Sequence, residues 1–256
     1  MTMVLNELDF AERALENGVL GRHPSETLTR IAKYYINQLG EDGCTKEYLI
    51  RMLENFLIAN DPYIPLGKWY SVLERCVKNA FKHKPIVIDD IPVTQPEIDK
   101  INLLESKQAR RLAVTLLCLS KYWDAVNPLN NHWTHNEDTE IMKMANISAS
   151  IRRQSAIYAE LKNAGYIQFS KKIDNTNVRV LFREPGNTAM SVTDMRNIGY
   201  QYLMHCGESF LVCEHCGMVI KRKSDRVGRP QKYCKTCADN IKIQQNIESV
   251  MRYRGA

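Results

Sequence analysis

The sequence predicts a mainly α-helical protein with small β elements, an α+β fold built from successive modules. Apolar residues recur at helical spacing through most of residues 1–164, which predicts amphipathic helices. Two short β-rich stretches beyond residue 165 flank a polar DNTN turn and predict a hairpin. Two Cys-x-x-Cys pairs follow near the C-terminus, a pattern typical of a metal site.

Residues 1–84 are predicted to form a helical lobe of four helices, because glycines and prolines interrupt the apolar periodicity at the expected turns. The next segment, residues 85–96, is predicted to be a linker, since Pro85, Pro92 and Pro96 exclude a continuous helix. No motif in the lobe matches a catalytic site.

Residues 97–185 are predicted to fold as a second module. A long helix is followed by a short one, a turn at Asn146 and a further helix from Ser148. Two β-rich segments, 166–171 and 178–182, then complete the module. Two helices joined by a turn and followed by a hairpin have the order of a winged helix-turn-helix.

The sequence SIRRQSAIYAELKNAGYIQFSKK resembles the recognition helix and first wing strand of winged-helix proteins. Leu161, Gly165, Tyr166 and Ile167 fill the positions of their L-x-x-x-G-[YLF]-I pattern. The resemblance implies either nucleic-acid recognition or a winged helix that serves only as a scaffold for protein contacts.

The helix that starts at Ser148 is expected to face the core with Ile151, Tyr158 and Leu161. Its N-terminal end would then present polar side chains, as groove-reading helices do. The basic residues of the hairpin would lie near a flanking backbone. The predicted nucleic-acid contacts of this module are Ser148, Ser150, Arg152, Arg153, Gln154, Lys171, Lys172 and Arg179.

The C-terminal cysteines predict one structural zinc ion. Cys-x-x-Cys pairs reach a metal from tight turns, and two pairs complete a tetrahedral shell with no position left for a catalytic water. A redox role would need a thioredoxin-like βαβ context, which is absent. Residues 186–212 are predicted as a connecting strand and helix, and 213–256 as a zinc ribbon with a C-terminal helix. The predicted ligands are Cys213, Cys216, Cys234 and Cys237.

The formal net charge of +6 is concentrated at the C-terminal end. Residues 213–256 hold ten basic and four acidic residues, whereas the preceding 212 residues are balanced. A basic module of this kind favours a polyanionic partner, although a solvated basic loop is the alternative. The predicted contacts here are Lys221, Arg222, Lys223, Arg226, Arg229 and Lys232.

His132 and His135, with Asp138 and Glu140 nearby, offer a second metal site or a nuclease centre, but the surrounding sequence is typical of a polar loop.

Walker, GxGxxG, GxSxG and HExxH motifs are all absent from the sequence, and no small-molecule substrate is evident. The N-terminus is acidic where a signal peptide is basic, and apolar runs fall short of the roughly 18 residues of a membrane span. We therefore expect a cytoplasmic protein.

The layout resembles uncharacterised phage and prophage proteins of low-GC Gram-positive bacteria, most densely in Cys213–Lys223 and Gln231–Ala238. The resemblance implies a mobile-element origin and the cytoplasm of a host cell.

The sequence as a whole leaves two function hypotheses. The first is a non-enzymatic nucleic-acid-binding protein, with DNA favoured over RNA and a regulatory or replication role. The second is a protein-binding factor that inhibits a bacterial defence or polymerase complex through Tyr34, Tyr35 and Tyr63.

Overall fold

The structure is a computed structural model that describes residues 3–21, 23–40, 42–171, 177–222 and 230–254. It is mainly helical with small antiparallel sheets, which confirms the α+β class. The chain divides into two compact units, unit 1 at residues 1–89 and unit 2 at residues 90–256. In the part of the chain that is described, no helix combines the length and apolarity that a membrane span needs.

The described residues of unit 1 form a bundle of four helices that bury a shared apolar core. Asn6 caps the first helix and Thr45 caps the third, each accepting backbone N–H groups with its side chain. Leu28, Leu53 and Leu73, from three different helices, are fully buried. The helices are α1 (Glu7–Asn17), α2 (Pro24–Leu39), α3 (Lys46–Asn60) and α4 (Leu66–Lys82).

A buried ionic cluster joins α1 to α2. The carboxylate of Glu7 accepts from Lys33 Nζ at 2.7 Å and from Arg30 Nε at 3.4 Å. It also accepts from the backbone N–H of Ile86 at 3.0 Å. The side chains of Glu7, Arg30 and Lys33 are each less than a tenth exposed. The sequence pattern did not reveal this cluster, because charged residues on an amphipathic helix normally face water.

In its described residues, unit 2 combines helices with three two-stranded antiparallel sheets, which pair residues 91–94 with 188–192, 167–169 with 178–180 and 210–212 with 219–221. The elements in chain order are β1 (Ile91–Thr94), α5 (Gln95–Leu103), α6 (Lys107–Val126), a 3₁₀ turn (Pro128–Asn130), α7 (Asp138–Met144), α8 (Ile151–Asn163), β2 (Ile167–Phe169), β3 (Val178–Val180), β4 (Thr188–Val192), α9 (Ile198–His205), β5 (Phe210–Val212), β6 (Val219–Lys221) and α10 (Lys235–Arg254).

Helix α6 is the centre of unit 2. Every residue from Leu112 to Ser120 is buried, so α6 is covered on all sides along this stretch. Ser106 caps it, which separates it from α5. Cys118 is also fully buried, and burial raises the pKa of its thiol to about 12, so it acts as a small apolar side chain.

Helix α8 packs on α6 through Ile157, Tyr158 and Leu161, all buried. The expectation that Ile151 faces this core is wrong, since its side chain is 82% exposed. Ile151 is the first residue of α8, and the buried residues of this helix begin only at Ile157. Helix α9 also starts later than Asp194, the residue from which the sequence predicts a helix. It begins at Ile198, after Asn197, whose φ of 54° lies in the left-handed region.

Candidate metal centre and the adjoining surface

The four C-terminal cysteines converge on one point. Their sulfur atoms all lie within 4.8 Å of one another, and Cys213, Cys234 and Cys237 are buried. The Sγ atoms of Cys216 and Cys234 are 3.9 Å apart. Among the residues that the structure describes, these four cysteines are the one group of at least three His, Cys, Asp or Glu side chains that could hold a metal ion.

The first cysteine pair lies in the turn between β5 and β6. The N–H of Cys213 donates to Met218 O at 3.0 Å, and the N–H of Gly217 donates to Cys213 O at 2.9 Å. Gly217 has a φ of 71°, a left-handed conformation that glycine adopts without steric cost. This turn directs both sulfur atoms to the same side. His215 is exposed, as expected for a residue that is not a ligand.

The second pair lies where α10 begins. The N–H of Cys234 donates to Cys213 Sγ at 3.2 Å, and the N–H of Cys237 donates to Cys234 Sγ at 3.4 Å. Burial would raise the pKa of Cys213, but the N–H groups of Cys234, Cys216 and His215 outweigh it and lower that pKa to about 6. Burial raises the pKa of Cys216. The thiols are therefore inequivalent in the absence of a metal.

The donor set fits zinc. Four thiolates at Zn–S distances of about 2.3 Å in a tetrahedron place neighbouring sulfurs about 3.8 Å apart, close to the Cys216–Cys234 separation. A hard cation such as Mg²⁺ or Ca²⁺ would need oxygen ligands instead. The geometry is thus compatible with a structural zinc ion held by four protein ligands.

Two neighbouring side chains attach the cysteine turn to α9. Arg196 Nη2 donates to Cys216 O at 2.8 Å while its guanidinium forms a bidentate pair with Asp194. Asn197 Nδ2 donates to Val219 O at 2.8 Å. The sequence pattern missed both residues, since nothing in their spacing links them to the cysteines. Together they fix the position of the turn relative to the helical part of unit 2.

The sequence matches no protein-family model, no curated protein and no solved structure.

The predicted contacts on α8 lie at one exposed end of the helix. Ser148, Ser150, Arg152 and Arg153 are exposed, and Gln154 is half-buried. Some are already engaged within the chain. Ser150 accepts from Arg153 N as the helix cap, Arg153 Nε donates to Gln108 at 3.0 Å, and Gln154 donates to Ala149 O. Arg152 has no hydrogen-bond or ion-pair partner in the described part of the chain.

The predicted contacts on the hairpin differ in their availability. Lys171 is exposed, whereas Arg179 is half-buried and donates to both the carbonyl and the side chain of Asn131. In the cysteine module, residues 213–256, Lys221 and Lys232 are exposed. Lys232 pairs with Glu214 at 3.4 Å. Arg222 is also exposed. Four predicted contacts lie outside the described residues: Lys172, Lys223, Arg226 and Arg229.

The two histidines of the central loop bind different partners. His132 Nδ1 lies 2.5 Å from Asp124 Oδ2, while His135 Nε2 lies 2.5 Å from Asn130 Oδ1. Arg183 also pairs with Asp124. Among the described residues, neither ring belongs to a group of three or more His, Cys, Asp or Glu side chains that could hold a metal ion. The arrangement instead ties the loop after α6 to the end of that helix.

Proposed function

We propose that this chain is a non-enzymatic nucleic-acid-binding protein of phage type, with DNA favoured over RNA and a regulatory or replication role. In this proposal α6, α7, α8, β2 and β3 form a winged helix-turn-helix, the cysteine module is a zinc ribbon, and one zinc ion has a structural role. The phage-type origin rests on the sequence resemblance around the cysteines.

One observation carries the proposal: the N-terminal end of α8 projects an unpaired guanidinium, Arg152, beside the exposed Arg153 and Ile151. In helix-turn-helix proteins this end of the second helix contacts base edges. The exposed side chain of Ile151 can contact thymine methyl groups in a groove. Lys171, after β2, adds a further exposed cation.

The test is the charge reversal Arg152→Glu with Arg153→Glu. Fluorescence anisotropy with a labelled DNA duplex at low salt should show at least tenfold weaker binding, and the slope of log Kd against log salt should fall by about two. Duplex RNA measured in parallel decides the preference for DNA. The control reverses the same number of charges with Arg13→Glu and Arg51→Glu, two exposed residues of unit 1.

The proposal is wrong if the α8 variant and the control bind DNA and RNA equally well while both remain folded by circular dichroism. An activity that cleaves the nucleic acid and is lost in His135→Ala would also contradict a non-enzymatic role.

A protein-binding role is the second candidate, and Tyr63 is the observation that favours it. This residue is 94% exposed in the loop between α3 and α4. Tyr34 and Tyr35 instead pack against the core of unit 1 and offer less surface. Retention of one stoichiometric host protein from nuclease-treated lysate, with its loss in Tyr63→Ser, would favour this candidate over the first.

A further inference from the structure

Helix α4 of unit 1 exposes a stripe of basic side chains on the face opposite its buried residues. The intervals between successive members are seven, three and four residues, so they share one side of the helix. Leu73 and Val77, on the other side, are fully buried. The members of this basic stripe are Lys68, Arg75, Lys78 and Lys82, all exposed.

The charge of the stripe is not balanced by acidic neighbours. Glu74 is the acidic residue of α4, and its carboxylate accepts from Lys46 Nζ at 2.7 Å, at the start of α3. No ion pair involves any member of the stripe within the described ranges. Residues 1–106 are acidic in total, so the stripe is a local concentration of positive charge that the overall composition conceals.

A groove of about 640 Å³ runs beside the stripe. Lys46, Glu74, Arg75, Lys78 and Phe81 are among the residues that line it. Its volume is within the range of sites that accept small organic groups. It therefore combines the Lys46–Glu74 ion pair and two further cations, Arg75 and Lys78, with an aromatic ring that is 40% exposed.

A second exposed ring continues the aromatic side of this surface. Tyr70 is 51% exposed and precedes Phe81 by eleven residues, which is close to three full helical turns. Both rings therefore lie on the same side of α4, parallel to the basic stripe. The stripe itself extends about 21 Å along the helix at 1.5 Å per residue.

We propose that this face of α4 binds single-stranded nucleic acid. The sugar-phosphate backbone lies along the basic stripe, and bases stack on Phe81 and Tyr70. A cationic track beside exposed aromatic rings is the arrangement that single strands require, because every base offers a π face and every linkage a negative charge. An acidic protein segment would use the cations but gain little from the rings. The site is separate from the surface on α8.

The test compares three variants of the full chain by anisotropy with labelled dT15 and U15 oligonucleotides. Arg75→Glu with Lys78→Glu should weaken binding at least tenfold and lower the salt slope by about 1.4. Phe81→Ala should weaken binding at least fivefold with no change in that slope, since it removes stacking and no charge. Arg13→Glu with Arg51→Glu, which changes the net charge equally, should weaken binding less than twofold.

The two oligonucleotides distinguish DNA from RNA as the source of the strand. The proposal is overturned if the α4 charge variant binds no worse than the control, or if Phe81→Ala binds as the parent does with its fold intact. It is also overturned if the charge variant loses an acidic protein partner while its affinity for both oligonucleotides is unchanged. A defect of duplex binding confined to the α8 variant leaves this test unaffected, so the two proposals can fail separately.

Discussion

The side-chain amide of Asn146 donates to Asn197 Oδ1 at 2.8 Å, and both residues have left-handed backbone conformations, with φ of 56° and 54°. Asn146 lies in the turn between α7 and α8, and Asn197 precedes α9. Since Asn197 also donates to Val219 O, one side chain joins that turn to the cysteine hairpin, the β5–β6 pair that carries Cys213 and Cys216. Close packing reinforces the contact, because a Cβ atom at Gly199 would lie 2.1 Å from Ala145 O.

Asn197→Gly should lower the free energy of unfolding by about 1–3 kcal/mol, because it removes two hydrogen bonds between partly buried groups. Asn197→Ala should cost about 1 kcal/mol more, since alanine resists the left-handed backbone that glycine accepts. Urea titration of both variants measures the difference. Equal stability of the two variants would contradict the conformational part of this explanation.

Metal removal should unfold the cysteine module. The parent should bind one zinc ion per chain by elemental analysis, and Cys234→Ser should bind none, because zinc affinity in such a site depends on a complete set of thiolates. After chelation, amide hydrogens of β5, β6 and the first turn of α10 should exchange rapidly. The matched control is Cys206→Ser, an exposed cysteine outside the cluster, which should retain full zinc content.

Glu7→Gln should destabilise unit 1 by about 3–5 kcal/mol. The substitution removes the counter-ion of the buried Lys33 and one of the carboxylates that pair with Arg30, which keeps Glu26 at 3.7 Å, and an uncompensated buried charge is costly. Hydrogen exchange of the α2 amides reports the loss. Glu12→Gln, at an exposed position of the same helix, should change the stability by less than about 0.5 kcal/mol. Similar effects of the two substitutions would refute a stabilising role for the cluster.

Asp124 should make unit 2 sensitive to acid. Burial would raise the pKa of Asp124, but hydrogen bonds from His132 and Asn130 and the charge of Arg183 outweigh it and hold that pKa below its ordinary value. Because the folded-state pKa is depressed, the stabilisation is complete above the unfolded pKa of about 3.9 and is lost as the pH falls through the folded pKa.

Asp124→Asn should therefore reduce the pH dependence of stability in that acidic window. At neutral pH it should cost about 1.5–3 kcal/mol through weakened hydrogen bonds to charged groups. Denaturant unfolding between pH 7 and pH 3 measures both effects. Asp99→Asn, at an exposed position, serves as the reference, and an unchanged acid limb in Asp124→Asn would rule out this carboxylate as its source.

Local constraints explain what the sequence predicted well. The four cysteines converge as their spacing indicates, because each Cys-x-x-Cys pair lies in a short segment that brings its two sulfur atoms close together. The inner face of α8 follows from periodicity at Tyr158 and Leu161. Periodicity failed at Ile151, since it gives the direction of a side chain but not the point along the helix at which burial begins.

Long-range contacts explain what the sequence could not predict. The burial of Glu7 depends on Arg30 and Lys33 from another helix, and no local pattern distinguishes them from solvated charges. Asn197 acquires its role only when the cysteine hairpin packs against the start of α9. The basic stripe on α4 was hidden for a different reason, because a net charge summed over a long segment contains no information about faces.

The pairing of β1 with β4 determines how this protein can be divided experimentally. Ile91 lies opposite Val192, and Val93 opposite Met190, so the chain enters and leaves the intervening region at adjacent points. A fragment cut at 97 and 185, the limits that the sequence suggests, would discard both strands of this sheet. Any excised or transplanted version of the region should therefore extend from Ile91 to Val192, and foreign sequence is better joined outside this pair of strands than within it.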